Sequence, residues 1–319
     1  MAGMSAAGGP ASVRVRVPAS SANLGPGFDA LGLALSLYDE ATITLRPDSE
    51  VVVDIAGMGA DSLPRGERHL LLSSLRRAAK HFGGQVDGVE IRVRNAIPQG
   101  RGLGSSAATI TAGVAAAAML ISGQDSLDRA SVLALAAQIE GHPDNVAACV
   151  YGGLTISWQG VGGASAVALA VHPNIQPVLY VPDSELSTEL ARGLLPASVP
   201  HADAAFTAGR SALLIYALTL APRLLLEATE ERLHQSYRAA AMPDTTSLLE
   251  SLRPAGIAAV VSGAGPSVLA LRVTGSASGP TEDVPVPPGW TQHRLAVSVG
   301  VQAALARPLR DRPADRVGE

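Results

Sequence analysis

Apolar and charged residues alternate through Val13-Arg14-Val15-Arg16-Val17, the period of a half-buried strand, and the same alternation returns at Val89, Ile91 and Val93. Strand-like runs also occur at Thr42–Leu45, Val51–Ile55, Gly152–Trp158, Ile175–Val181 and Arg294–Val299. Helical spacing takes over from Arg65 to Phe82, where Gly83-Gly84 is a stop signal. It resumes from Ser105 to about Ile121, ending at Gly123, and from about Ser126 to Glu140, ending at Gly141. Beyond it, Pro182–Arg192 opens a short helix capped by Asp or Ser, and helical segments follow at about Ala202–Leu220 and Pro222–Leu233. A chain of 319 residues admits two domains at about 150 residues each. With a flexible turn at Gln159–Gly163, the expected division is a tail over 1–12, domains over 13–165 and 166–301, and a polar tail over 302–319. No internal repeat is visible.

The segment that organises the pattern is Pro98-Gln99-Gly100-Arg101-Gly102-Leu103-Gly104-Ser105-Ser106-Ala107-Ala108. Glycine at alternate positions lets the backbone come close to a ligand, and the Ala-rich run that follows is a strong helix former. A loop entering a helix N-terminus presents unpaired N–H groups and about half a positive charge, which suits phosphate. A glycine turn merely capped by Ser105 or Ser106 is the alternative. The Walker loop is excluded, because Lys80 is the only lysine in the chain. The dinucleotide fingerprint is excluded by spacing, since Gly104 follows Gly102 at i+2.

The pattern P-x-x-x-G-L-G-S-S-A resembles the ATP loop of the GHMP kinases, and five other segments carry the likeness further. Pro18-Ala19-Ser20-Ser21-Ala22-Asn23-Leu24-Gly25-Pro26-Gly27-Phe28-Asp29 resembles the N-terminal signature of the homoserine kinases within that family. Glu140-Gly141-His142-Pro143-Asp144-Asn145-Val146 resembles their E-G-H-x-D-N-V, and Ser262-Gly263-Ala264-Gly265-Pro266-Ser267 the third GHMP motif, with Ser267 where Thr is commoner. His234-Gln235-Ser236-Tyr237-Arg238 resembles H-Q-P-Y-R, with Ser236 where Pro is usual, and Thr188 and Arg192 match a T-x-x-x-R segment. The likeness spans about residues 13 to 300.

That resemblance implies an α+β fold of two domains, the first like domain 2 of ribosomal protein S5 and the second ferredoxin-like, with the active site between them. The order of strands and helices is compatible with it. The implied reaction is transfer of phosphate from ATP to the hydroxyl of homoserine, with Mg²⁺ held by Ser106 and Glu140 and ATP by residues 98–108. Homoserine is a zwitterion carrying a hydroxyl, and the residues supply a group for each part. Arg192 and Arg238 suit the carboxylate, because guanidinium forks bind carboxylates bidentately. Asp29, helped by Asn23, suits the ammonium, and Asn145 or His142 the hydroxyl. Asn145, Glu140 and Thr188 are the expected catalytic residues, and Asp144 is either a base or a brace for the turn. A GHMP enzyme acting on a sugar or mevalonate, and a nucleotide-binding protein without catalysis, are the two rival readings.

Composition narrows the partners. Apolar residues make up 47 % of the chain but aromatic ones only 3 %, so the cores must be packed by Ala, Val, Leu and Ile. A net charge of −4 leaves no basic footprint for nucleic acid. The longest apolar run, Ala112–Ile121, falls short of the ~20 residues that span a bilayer, and the N-terminal residues carry no leader signature, so no membrane association is expected. Cys149, the single cysteine, lies in an apolar run, reads as a buried structural thiol and fits a reducing cytoplasm. A homodimer stays open.

Overall fold

The computed structural model describes residues 11–124, 126–275 and 285–306. A seven-stranded sheet carries the first half of the chain. Its strands are β1 (Ser12–Ala22), β2 (Leu31–Arg46), β3 (Val51–Gly57), β4 (Gly88–Asn95), β5 (Leu154–Gly160), β6 (Gly163–Leu169) and β11 (Gln302–Ala306). β2 is long enough to serve two partners: residues 31–33 pair with β5 and residues 40–46 with β4. Four helices pack on this sheet: α1 (Leu70–His81), α2 (Ser105–Ser122), α3 (Arg129–Glu140) and α4 (Asp144–Tyr151). The crossover through α1 returns β4 parallel to β3, as a helical connection requires.

The second sheet contains β7 (Ile175–Pro182), β8 (Ala258–Val261), β9 (Val268–Val273) and β10 (Trp290–Arg294), in the order β10-β7-β9-β8 with every neighbour antiparallel. Taken in chain order this is 4-1-3-2, the ferredoxin-like arrangement. Between β7 and β8 run α5 (Thr188–Gly193), α6 (His201–Thr219), the short α7 (Leu225–Ala228) and α8 (Gln235–Arg238), and α9 (Pro243–Leu252). One hydrophobic core joins both sheets, because Leu179, Leu269 and the α6 residues Leu214 and Leu218 belong to the same cluster as Val15, Leu33 and Ile91.

Several expectations need correcting. Residues 302–306, assigned to a polar tail, form β11 and pair with residues 12–16 of β1. The boundary expected near residue 165 falls inside β6, and the first sheet recovers the end of the chain as well as its beginning. The strand expected at Arg294–Val299 ends at Arg294, and Val297 and Val299 make single bridges back to Leu35 and Gly152. Residues 1–10 of the expected N-terminal tail and residues 307–319 of the C-terminal one lie outside the described residues. Among the described residues α2 alone is long and apolar enough to cross a membrane, and most of it is buried against α1, α3 and β1.

Deleting residues 302–319 should expose the outer edge of β1 and cost on the order of 2–4 kcal/mol, from lost ladder bonds near 1 kcal/mol each and lost contacts of Ala303 and Leu305. Urea unfolding of the shortened and full chains measures it, and an unchanged midpoint contradicts a role for β11 in the sheet.

Candidate active site

The glycine loop lies where the two sheets meet. Gly102 and Gly104 have φ of +71° and +67°, in the left-handed region. A Cβ on Gly102 would stand 2.1 Å from the Ser262 carbonyl oxygen, and one on Gly104 would stand 2.1 Å from Ser20 Oγ. Ser262 Oγ donates to Gly102 O at 2.7 Å, and Ser20 N–H to Leu103 O at 3.1 Å, so the loop is clamped from both sides. Gly104 then serves as the N-cap of α2, whose first internal bond runs from Ala108 N–H to Gly104 O. The N–H groups of Ser105, Ser106 and Ala107 are left pointing out of the helix end.

A cavity of about 350 Å³ opens in front of this end. Of residues 98–108, all but Arg101 and Ala107 line it. Arg101 turns the other way: its guanidinium donates to Pro182 O (3.0 Å), Asp183 O (2.7 Å), Gln99 O (2.7 Å) and Glu185 Oε1 (2.9 Å). The side chain therefore ties the loop to the β7–α5 connection and is not directed at a phosphate.

Ser106 Oγ donates to Glu140 Oε1, joining α2 to the last residue of α3. A carboxylate at a helix C-terminus is electrostatically disfavoured, so a cation beside it would be favourable. Among the described residues no cluster of three or more His, Cys, Asp or Glu could hold a metal. One carboxylate and one hydroxyl beside a phosphate site fit Mg²⁺, which retains waters and takes its remaining ligands from substrate phosphates. Gly141 (φ +96°) ends α3, and after His142 and Pro143 the chain begins α4 at Asp144, so the segment expected to be a turn leads into a helix. Asp144, 2 % exposed, accepts Asn145 N–H at 2.8 Å and lies 3.1 Å from His142 Nδ1. The Asp144 hydrogen bond raises the His142 pKa above its ordinary value despite partial burial. Asn145 Oδ1 accepts Ser20 Oγ–H at 2.9 Å, leaving its amide N–H₂ as the group available to a ligand.

The residues expected at the homoserine end divide into two kinds. Asp29 and Arg192 form a bidentate ion pair, 2.7 and 3.2 Å, which raises the arginine pKa; Arg192 lines the cavity and Asp29 stands behind it. Asn23 Oδ1 receives Asp29 N–H (3.0 Å) and Nδ2 donates to Gly263 O (2.8 Å). It bridges two loops and sets the position of Asp29 while lining the cavity itself. Arg238 is 1 % exposed and lines the cavity, yet among the described residues no carboxylate forms an ion pair with it. Burial, and then the neighbouring Arg192 charge, lower its pKa from the ordinary arginine value. Thr188, at the first position of α5, is exposed and borders the cavity without a hydrogen bond.

The far end of the cavity escaped the sequence reading. Asp39, His69 and Asn95 line it with Leu63, Leu71 and Val93. His69 is 5 % exposed, its buried Nδ1 has no partner among the described residues, and burial lowers its pKa. Asp39 Oδ1 accepts the N–H groups of Ala96 (2.8 Å) and Ile97 (2.9 Å) at the entrance to the glycine loop. No motif marks these residues; each is a single polar side chain in a strand or at a helix start.

Burial pushes the Asp39 carboxyl up to about 6, against the pull of its two hydrogen bonds. A folded pKa above the unfolded 3.8 stabilises most below pH 4, and that contribution disappears as pH rises through 6. Asp39→Asn, which does not titrate, should therefore gain on the wild type by at most about 3 kcal/mol between pH 4 and 7. Denaturant titrations of both proteins at the two pH values test this, and a pH-independent difference refutes it.

Comparison with known proteins agrees with this geometry. Residues 69–153 match the family model of the GHMP kinase N-terminal domain and residues 214–281 that of the C-terminal one. The chain is 55 % identical over 300 residues to homoserine kinase of Streptomyces coelicolor, covering 94 % of this chain and 96 % of that one. It superimposes on homoserine kinase from Cytophaga hutchinsonii with a TM-score of 0.79 at 26 % identity, over 92 % and 97 % of the two chains. Mevalonate kinase of L. major, solved with R-mevalonate, shares the fold at a TM-score of 0.64 and 16 % identity, with 89 % and 95 % covered. The chain belongs to the homoserine kinase family of the GHMP kinases.

Proposed function

We propose that the chain transfers the γ-phosphoryl group of ATP to the side-chain hydroxyl of L-homoserine, giving O-phospho-L-homoserine and ADP, a step towards threonine. The observation that carries this reading is Arg238, a buried guanidinium without an acidic partner that faces the same cavity as the open N-terminus of α2. A buried unpaired cation is costly, and the substrate's carboxylate would offset that cost. A neutral sugar would leave it unmet.

On this reading the loop 98–108 and the α2 N-terminus hold the phosphates, and the base lies towards Asp39, His69 and Asn95. Ser106 and Glu140 would hold Mg²⁺, which supplies charge neutralisation to the transferring phosphate. Arg192 joins Arg238 on the carboxylate, and Asp29 takes the ammonium. The Asp29–Arg192 pair already has the charge pattern of a zwitterion's complement, so the substrate can share both partners without either losing its counter-charge. Activity of this kind suits the cytoplasm, where ATP is made. A coupled assay of ADP release tests the reading: release should depend on L-homoserine and not on galactose or mevalonate, and equal turnover of either would overturn it. Glu140→Gln should fold normally and lose most of the rate; a rate within about tenfold of wild type at saturating Mg²⁺, ~1.4 kcal/mol of barrier, would remove Glu140 from the metal site.

The site also works without a dedicated base. Asn145, whose Oδ1 accepts from Ser20, orients the hydroxyl through its amide nitrogen, and a neutral carboxamide is too weak a base to take the proton. Asp144, the first residue of α4, accepts the Asn145 N–H and braces His142. Phosphoryl transfer through a loose transition state needs little prior deprotonation, so positioning and charge stabilisation carry the rate. Asn145→Ala should therefore lower kcat substantially, whereas Asp144→Asn, which keeps an oxygen on the same N–H, should lower it less. Abolished turnover in Asp144→Asn alone, in a folded protein, would make Asp144 the base.

A further inference from the structure

Arg238 can serve a carboxylate only if its fork is held in one orientation, and the group that holds it is His234. The two residues sit at i and i+4 of the single turn of α8, with Arg238 N–H donating to His234 O at 3.2 Å. His234 is fully buried, and its ring stacks on Phe28 with centroids 5.1 Å apart. Nε2 lies 2.8 Å from the Gly25 carbonyl oxygen, which can only accept, so Nε2 carries the proton. Nδ1 is then a lone pair, 3.3 Å from Arg238 Nη1, and receives one of its hydrogens. Nε of the arginine donates to Ala191 O at 3.0 Å, in the helix that carries Arg192. Two edges of the guanidinium are thereby fixed, and Nη2 has no protein partner among the described residues.

We propose that His234 is a positioning residue for substrate recognition: in its neutral Nε2–H form it presents Arg238 to the carboxylate of the amino-acid substrate. This rests on the reading of the cavity as a homoserine site. Two carboxylates favour a charged ring: Asp29, which is paired with Arg192, and Glu231, which lies 3.8 Å from Nε2 and is already engaged by the N–H groups of Leu233, His234 and Gln235. Burial lowers the His234 pKa and the Arg238 charge acts in the same direction, outweighing the opposing pull of Glu231, the Gly25 carbonyl and Asp29. Protonation would replace an acceptor by a donor against a buried cation.

Two variants separate positioning from mere support. His234→Asn keeps an oxygen acceptor near the Nδ1 place, whereas His234→Gln reaches towards Gly25 and leaves no acceptor facing Arg238. The Gln variant should raise the KM for L-homoserine about tenfold or more, with the Asn variant nearer wild type and the KM for ATP unchanged in both. Inhibition by 3-aminopropan-1-ol, which is homoserine without its carboxylate, should be unaffected by either change. If the Gln variant weakens ATP and the amino alcohol as much as homoserine, or if Asn is no better than Gln, His234 supports the fold and nothing more. Should neither variant fold, ¹⁵N spectra of the wild type decide: a protonated Nε2 and bare Nδ1 at pH 7 are expected, and a proton on Nδ1 overturns the assignment. Wild-type protein that leaves homoserine unphosphorylated removes the homoserine reading and this inference together, whereas altered homoserine KM values with wild-type turnover intact speak to His234 alone.

Discussion

Everything at the site depends on how closely two backbones approach. The turn after β8 is pressed so tightly on the glycine loop that a single methyl group on Gly102 would overlap the Ser262 carbonyl. The Ser262 hydroxyl and the Ser20 backbone N–H satisfy loop carbonyls from opposite sides, one from each half of the chain. The N-terminus of α2 is therefore aimed by groups near residues 20 and 262, far apart in sequence. Because protein interiors are dense and yield little, displacement of either half would reach this helix end directly.

Polar side chains around the cavity form connected chains. Asn23 links the loop before Asp29 to Gly263, Asp29 links to Arg192, and Arg192 sits on the helix whose Ala191 carbonyl receives Arg238. Arg101 fastens the other end of that helix's approach segment to the glycine loop. The glycine loop and the Arg192–Arg238 end of the cavity thus share supports. Such shared supports make the effects of neighbouring substitutions non-additive.

Much of this was legible in the chain because the chemistry is written in short contiguous stretches. The loop 98–108, the Glu140–Val146 segment and the turn at 262–267 each keep their neighbours in sequence as neighbours in space. What stayed hidden is non-local or lacks a period. Val146–Val150 is apolar on every side, so α4 shows no helical alternation and passed for an extension of a turn. Arg101 stands in the loop like a ligand group because its partners, the carbonyls of 182 and 183, lie far along the chain. Asp39 and His69 carry no motif, and only the folded sheet puts them in one cavity. β11 is Gln302-Ala303-Ala304-Leu305-Ala306, poor in β-branched residues, and becomes a strand through its partner.

That last pairing sets an order of events during synthesis. β1 leaves the ribosome first among the strands, and the segment that covers its outer edge leaves last. At about 5–20 residues per second, β1 waits on the order of tens of seconds with a row of unpaired N–H and C=O groups towards solvent. Nascent chains on one messenger would present identical open edges to each other throughout that interval. The charges at Arg14 and Arg16, on the exposed face of this strand, then act as repulsive guards for the growing chain before they are surface residues of the finished one.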